Sequence, residues 1–151
     1  MSSIKIKEIT IENFYECISL KLGEGQDKKI EPNVFSIAES KVNPCYTPYA
    51  IYLEEVVIGF VMTDYDPSLE PRNKYWVPRL MIDVRYQGKG YGKSAMKKII
   101  DQLRTNEDCE CIRLSTEPDN IVALRFYESI GFVNTGEMLN GTEIILELNL
   151  N

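Results

Sequence analysis

The chain has 151 residues, 44% of them hydrophobic and 26% charged, the size and composition of one soluble globular domain spanning 1–151. Its net charge of −6 argues against a general nucleic-acid binder, and its longest apolar runs fall far short of the roughly 20 residues a membrane span needs. Cys17, Cys45, Cys109 and Cys111 form no C-x-x-C pair and there is no histidine, which excludes a Cys/His metal site and any Ser-His or Cys-His machinery.

In chain order, "IKIKEI" (4–9) alternates apolar and polar like a strand. The start of the chain has no apolar signal-peptide core, so a cytoplasmic protein is expected. Thr10 is placed to cap a helix in which Ile11, Phe14, Tyr15, Ile18 and Leu22 share one face. "LGEGQDKK" breaks that helix, and a weaker one covers 32–42. Residues 49–53 and 56–63 read as strands joined at Glu54 and Glu55, followed by a loop over 66–74. Residues 75–84 read as a strand in which Pro78 predicts a bulge or an edge. Met96, Ile99, Ile100 and Leu103 then repeat at helical spacing over 91–105. "CIRLST" (111–116) is a strand, Asp119 caps the next helix, and Gly131 stops it. Asn140 and Gly141 mark a closing hairpin. The order β-α-α-β-β-β-α-β-α-β-β predicts a mixed α/β domain with a largely antiparallel sheet.

Charge is unevenly placed. Residues 75–100 carry six Lys/Arg against one Asp/Glu, whereas 1–74 sum to −4 and 101–151 to −7. The basic segment contains "RYQGKGYGKSAMKK" (85–98), with Gly88, Gly90 and Gly92 just before a helix. A P-loop, G-x-x-x-x-G-K-[ST], fits poorly because Gln87 stands where its first glycine belongs. A dinucleotide fingerprint, G-x-G-x-x-G, has Lys93 in place of its third glycine and follows a late strand. The spacing Q/R-x-x-G-x-G/A fits in full. Successive N–H groups at 88–93 then face one concavity, joined by the positive end of the helix dipole and by Lys89 and Lys93. Such a loop suits a pyrophosphate.

"RYQGKGYGKSAMKKII" resembles the acetyl-CoA pyrophosphate loop of the GNAT N-acetyltransferase superfamily. "EPDNIVALRFYESIGF" resembles its second hallmark, N-x-x-A-x-x-x-Y-x-x-x-G-F, met by Asn120, Ala123, Tyr127, Gly131 and Phe132. Within the superfamily the chain is most similar to small bacterial spermine/spermidine-type acetyltransferases, on stretches such as "YAIYLEEVVIGFVM". The resemblance implies an α+β fold with a mixed, mostly antiparallel sheet of about seven strands flanked by helices, in which a splayed strand pair binds CoA.

For the site, it implies that Leu80, Ile82 and Val84 line the pantetheine arm of acetyl-CoA. Gln87, Gly88, Lys89, Gly90, Tyr91, Gly92 and Lys93 take the pyrophosphate, and Asn120 reaches the arm. Tyr127 is implied as the general acid for the leaving thiolate, a role within reach of a phenol. The acceptor must attack as a neutral amine, and deprotonating a primary ammonium at pH 7 costs about 4.6 kcal/mol. Polyamine acetyltransferases often place a carboxylate for this on the strand before the loop. Pro78 and Arg79 stand there instead, which leaves Glu117 and Asp83 as candidate bases, with a water chain to a backbone carbonyl as the alternative.

The family builds its acceptor site from the first helices and the closing hairpin, where Glu24, Asp27, Glu31 and Glu39 are placed to attract a cation. The expected partner is a small-molecule amine, with no nucleic acid, membrane or metal. A homodimer is left open. The rival readings are acetylation of protein N-termini or lysines, and a non-catalytic CoA-binding homologue.

Overall fold

Alternation over the first described residues builds an edge strand, β1 (Ile4–Glu8), with Ile4 buried and Lys5 and Lys7 exposed. The computed structural model describes residues 3–26 and 30–151. It continues with α1 (Phe14–Ile18), α2 (Asn33–Val42), β2 (Tyr46–Leu53), β3 (Val56–Tyr65) and β4 (Tyr75–Ile82). The second half holds α3 (Tyr91–Arg104), β5 (Cys111–Thr116), α4 (Ile121–Ile130), β6 (Val133–Leu139) and β7 (Glu143–Asn149).

All seven strands form one sheet in the order β1-β2-β3-β4-β5-β7-β6, antiparallel except for the β4–β5 pair. This is the mixed, mostly antiparallel architecture expected from the sequence. Both faces of the sheet are covered, which explains why β3 reads as a continuous apolar run, "VVIGFVM". Ile58 and Val61 join the core under α3 and α4, while Val57, Phe60 and Met62 pack with α1 and α2. Helix α3 buries Ala95, Met96, Ile99, Ile100 and Leu103 on one stripe, each large side chain contributing roughly 1.5–3 kcal/mol. No helix among the described residues is long and apolar enough to cross a membrane.

Pro78 has the consequence its chemistry predicts. Met62 pairs with Arg79 and Asp64 with Trp76, so β4 carries one more residue than β3 over this interval. The bulge falls at Val77 and Pro78, opposite Thr63. On its other side β4 pairs with β5 only at Trp76 and Arg113. Pro78, with no N–H to donate, sits where the two strands part.

Three local expectations are corrected. The helix foreseen from Thr10 to Leu22 is only Phe14–Ile18. Its expected apolar face is not the buried one: Ile11 is 77% and Tyr15 66% exposed, while Asn13 and Cys17 are buried. Asn13 holds the entry turn by accepting from Thr10 N–H and donating to the Glu8 carbonyl. Beyond Ile18 the chain is captured by a distant turn, because Lys21 N–H donates to Asp83 at 2.9 Å and Val84 N–H donates to the Lys21 carbonyl at 2.7 Å. The strand foreseen to Val84 ends at Ile82. Asp119 is not the cap of α4; Asn120 is, its Oδ1 accepting from Ala123 N–H at 3.2 Å. Gly131, in the left-handed region at φ 118°, does end α4, and its own N–H and that of Phe132 donate to the Tyr127 carbonyl. Asn140 and Gly141 both take positive φ in the closing hairpin, as expected.

Gly59 lies in β3 between Ile51 and Ile82. A Cβ there would stand 2.6 Å from the Met81 carbonyl oxygen and 2.8 Å from Ile82 Cδ1. Gly59→Ala is expected to lower stability by about 1–3 kcal/mol, read as a lower denaturant midpoint at unchanged m-value.

Candidate active site

The end of β4 is fixed before the glycines begin. Asp83 is buried and caps a 3-10 turn, Val84–Tyr86, by accepting from Arg85 N–H. Burial alone pushes its carboxyl up, but hydrogen bonds from the Arg85 side chain and from Lys21 and Arg85 N–H outweigh that and hold it below the usual range. An acid so fully engaged is structural, and it leaves the list of candidate bases. Gln87 follows, donating to the Ile82 carbonyl at 2.8 Å and to Gln26 Oε1 at 2.9 Å. That side chain ties the loop to both β4 and the segment after α1.

Gly88 and Gly90 then adopt φ 75° and 85°, which L side chains rarely tolerate. A Cβ at either would meet nothing within 4 Å, so the requirement is conformational rather than steric. Gly90 is the N-cap of α3 and supplies no capping side chain. The first helical bond is from Ser94 N–H to the Gly90 carbonyl. The N–H groups of 88–93 therefore meet no acceptor among the described residues, and the positive end of a 14-residue helix stands behind them.

All of these residues except Lys89 edge a cavity of about 700 Å³. Leu80, Ile82, Gln87, Gly88, Gly90, Tyr91, Gly92, Lys93, Asn120 and Tyr127 all line it, so most of the residues singled out in the sequence converge on one place. Val84 does not: the strand has ended, its N–H is taken by Lys21, and its side chain is exposed. Lys89 also lies outside the lining. Sequence reasoning missed Phe126, and it put the segment after α1 on the acceptor side, whereas Leu22, Glu24, Gly25 and Gln26 line this cavity. The first was hidden beside Tyr127 on α4; the second depends on the Gln26–Gln87 pairing, which has no sequence signal.

Tyr127 packs edge-on against Phe126, with ring centroids 5.0 Å apart, and against Phe132 at 5.7 Å. Burial pushes its phenol up to about 12. It is therefore a neutral hydroxyl donor at physiological pH.

A second cavity, about 840 Å³, adjoins the first. Both are bordered by Ile30, Pro78, Arg79, Ser115, Thr116 and Asn120, so they meet at the gap where β4 leaves β5. Its wall is acidic: Glu31, Asp64, Asp66, Glu117 and Glu143 line it. Glu117, the candidate base, is thus on this side of the gap. Of the other acids expected to draw a cation, Glu24 lines the glycine-loop cavity instead, and Glu39 is spent on Arg79, 2.6 Å away. Asp27 lies outside the described residues.

Comparison with known proteins decides the family. Residues 10–132 match the family described as Acetyltransferase (GNAT) family. The chain belongs to that family, and it is an N-acetyltransferase. The acetyltransferase is 34% identical over 149 residues to the spermine/spermidine N(1)-acetyltransferase of Bacillus subtilis (strain 168), covering 96% of this chain and 98% of that one. It is 31% identical to N-alpha-acetyltransferase 30 of Saccharomyces cerevisiae, but over only 55% of this chain and 47% of that one. In fold it is similar to the spermidine N-acetyltransferase of Vibrio cholerae, solved in complex with CoA and spermine, with a TM-score of 0.75, 14% identity and coverage of 97% and 95%.

In this acetyltransferase the left-handed turn at Gly90 sets where α3 begins. Gly90→Ala is expected to cost about 1–2 kcal/mol, because a Cβ is strained in that region. Gly90→Asn should cost less, and the two denaturant midpoints check the order.

Proposed function

We propose that the acetyltransferase takes its acetyl group from acetyl-CoA, bound along the glycine loop, and passes it to a primary amine of a small polyamine. One observation carries the reading. A cavity edged by N–H groups without acceptors opens, through the gap between β4 and β5, into a cavity edged by carboxylates.

The N–H groups of 88–93 suit a diphosphate, with the dipole of α3 and the charges of Lys89 and Lys93 in support. Beyond Trp76 the β5-facing edge of β4 is unpaired among the described strands. A pantetheine arm passing Leu80 and Ile82 would add to that edge as an extra strand does. Asn120 keeps its amide nitrogen free of any acceptor among the described residues while its oxygen caps α4. Those residues fit the proposed co-substrate; Val84 is set aside.

Tyr127 serves as the proton donor to sulfur as the C–S bond breaks. A phenol near 12 is a weak acid, yet burial acts on thiols in the same direction. It lifts the Cys17 thiol to about 12 in this same protein. A thiolate released beside Phe126 and Tyr127 would be raised by the same desolvation, which would narrow the gap to its donor.

The acidic cavity suits a cationic acceptor. Arg79 is the cation in its wall, and Glu39 neutralises it. The Bacillus subtilis relative is named for spermine and spermidine, and it matches over nearly the whole chain. The relative named N-alpha-acetyltransferase 30 matches little more than half of this chain, so the small-amine reading is preferred.

An amine panel monitored by thiol release tests the acceptor: turnover with spermidine and spermine is expected, and none with any amine would overturn the proposal. Tyr127→Phe is expected to lower kcat about 10²-fold while CoA affinity by calorimetry changes less than about twofold. Unchanged kcat would remove Tyr127 from the mechanism. CoA, unlike ATP or NAD, should raise the melting midpoint.

A further inference from the structure

An amine acceptor arrives as an ammonium and must lose a proton before it attacks. On β4 the positions at the gap, Pro78 and Arg79, offer no base, and the Arg79 guanidinium is engaged by Glu39 at 2.6 Å and Ser36 at 3.3 Å. Most carboxylates around the acidic cavity are also engaged. Glu143 accepts from Ser115 Oγ at 3.0 Å. Asp66 accepts from Ser68 N–H at 3.0 Å and from its Oγ at 2.6 Å. Glu117 has an interaction of its own.

Asp64 stands among them half-buried, with no hydrogen-bond donor or cation among the described residues. It faces Trp76 across β3 and β4, one step from the bulge at Val77 and Pro78, and it faces Tyr46 on β2. Strands lie about 4.8 Å apart and rise about 3.3 Å per residue, which puts its Cα roughly 8 Å from that of Pro78. One carboxylate arm and one water span such a distance.

The geometry points to Asp64 as the group that takes the proton from the acceptor ammonium, directly or through one water, ahead of attack on the thioester. This inference rests on the acetyl-transfer reading above. The ammonium N–H bond breaks and an O–H bond forms on Asp64. The freed lone pair forms the C–N bond, and the C–S pair leaves on sulfur, which Tyr127 protonates. The surplus proton on nitrogen restores Tyr127, and Asp64 releases its own to water.

The surroundings of Asp64 support the assignment. Burial, then repulsion from Asp66, push its carboxyl up to about 6, whereas hydrogen bonds from Ser68 hold Asp66 below the usual range. Neighbouring carboxyls driven apart in this way divide the work: one exchanges a proton and the other stays charged. The other titratable groups near Asp64 are Cys45 and Tyr46 beside it, and Arg79 with its partner Glu39 from β4 and α2. Glu31, Glu117 and Glu143 face it across the cavity.

The test is the pH dependence of kcat/KM for the wild type, Asp64→Asn and Asp64→Glu, using spermidine and a simple alkyl monoamine, with CoA affinity measured by calorimetry. The wild type should rise through one limb near pH 6, where the Asp64 carboxylate gains its charge. Asp64→Asn should bind CoA normally, lose about 10²-fold at pH 7 with both amines, and gain rate toward the amine's own pKa near 10.4. Asp64→Glu should keep a displaced limb. The inference is overturned if Asp64→Asn keeps the wild-type limb, if its loss is confined to KM for spermidine, or if Glu117→Gln alone removes the limb. A wild type that takes up no CoA fails earlier, at the acetyl-transfer reading itself.

Discussion

Between its pairings with Met62 and Asp64, β4 advances one residue more than β3 does. That extra residue bends β4 away from β5 immediately after their single pairing at Trp76 and Arg113. In an unbulged sheet the two strands would be free to stay hydrogen-bonded along their length, and no gap would open between them. With the bulge, the glycine loop at one end of β4 and the acidic wall beside the other border cavities that share Pro78, Ser115 and Thr116. Proline at this point does two things at once. It removes a donor that would otherwise be left unpaired in the gap, and it fixes φ where the strand must turn.

A gap needs a closed end as well as an open one. The closed end is held by Arg113, a residue only 1% exposed, whose guanidinium is matched on three sides. Its Nε donates to Glu147 at 2.9 Å, Nη2 to Glu137 at 2.7 Å and Nη1 to Asn73 at 3.2 Å. Those partners lie on β7, on β6 and just ahead of β4, so one side chain clamps the strands around the β4–β5 pairing at Trp76 and Arg113. Burying such a charge is costly unless every donor is met. Here all three nitrogens have acceptors, which makes the clamp a specifier of geometry more than a source of net stability.

How much of this was legible in the sequence follows from the range of the forces involved. The glycine loop was readable because positive φ at Gly88 and Gly90 is a local demand that only a few residue types meet. Asn120 and Tyr127 were readable because seven residues of helix fix their relation without help from the rest of the chain. The first helix was misjudged because a remote contact, Lys21 with Asp83 and Val84, outweighs a modest apolar periodicity. Val84 was misplaced for the same reason, since the turn capped by Asp83 ends the strand early. Asp64 carried no signal at all. Its surroundings arise from strand register with Tyr46 and Trp76, and register between strands is not written in either strand alone.

Charge is arranged with the same economy. The chain is acidic overall, yet its one basic segment supplies the glycine loop. Opposite charges thus face the two cavities, as the proposed anionic co-substrate and cationic acceptor would each require. Arg79 is the exception, a cation from the basic segment that borders both cavities. Glu39 of α2 cancels it at 2.6 Å, and Ser36 of the same helix adds a further contact. The acidic character of the second cavity therefore depends on α2 being docked: without that helix, a bare guanidinium would stand at the gap and would repel an ammonium. Docking of α2 rests in turn on the apolar cluster that joins Ile37 to Phe60, Met62 and Met81. Packing on the α1 and α2 face of the sheet is in this way a condition for the electrostatics of the site.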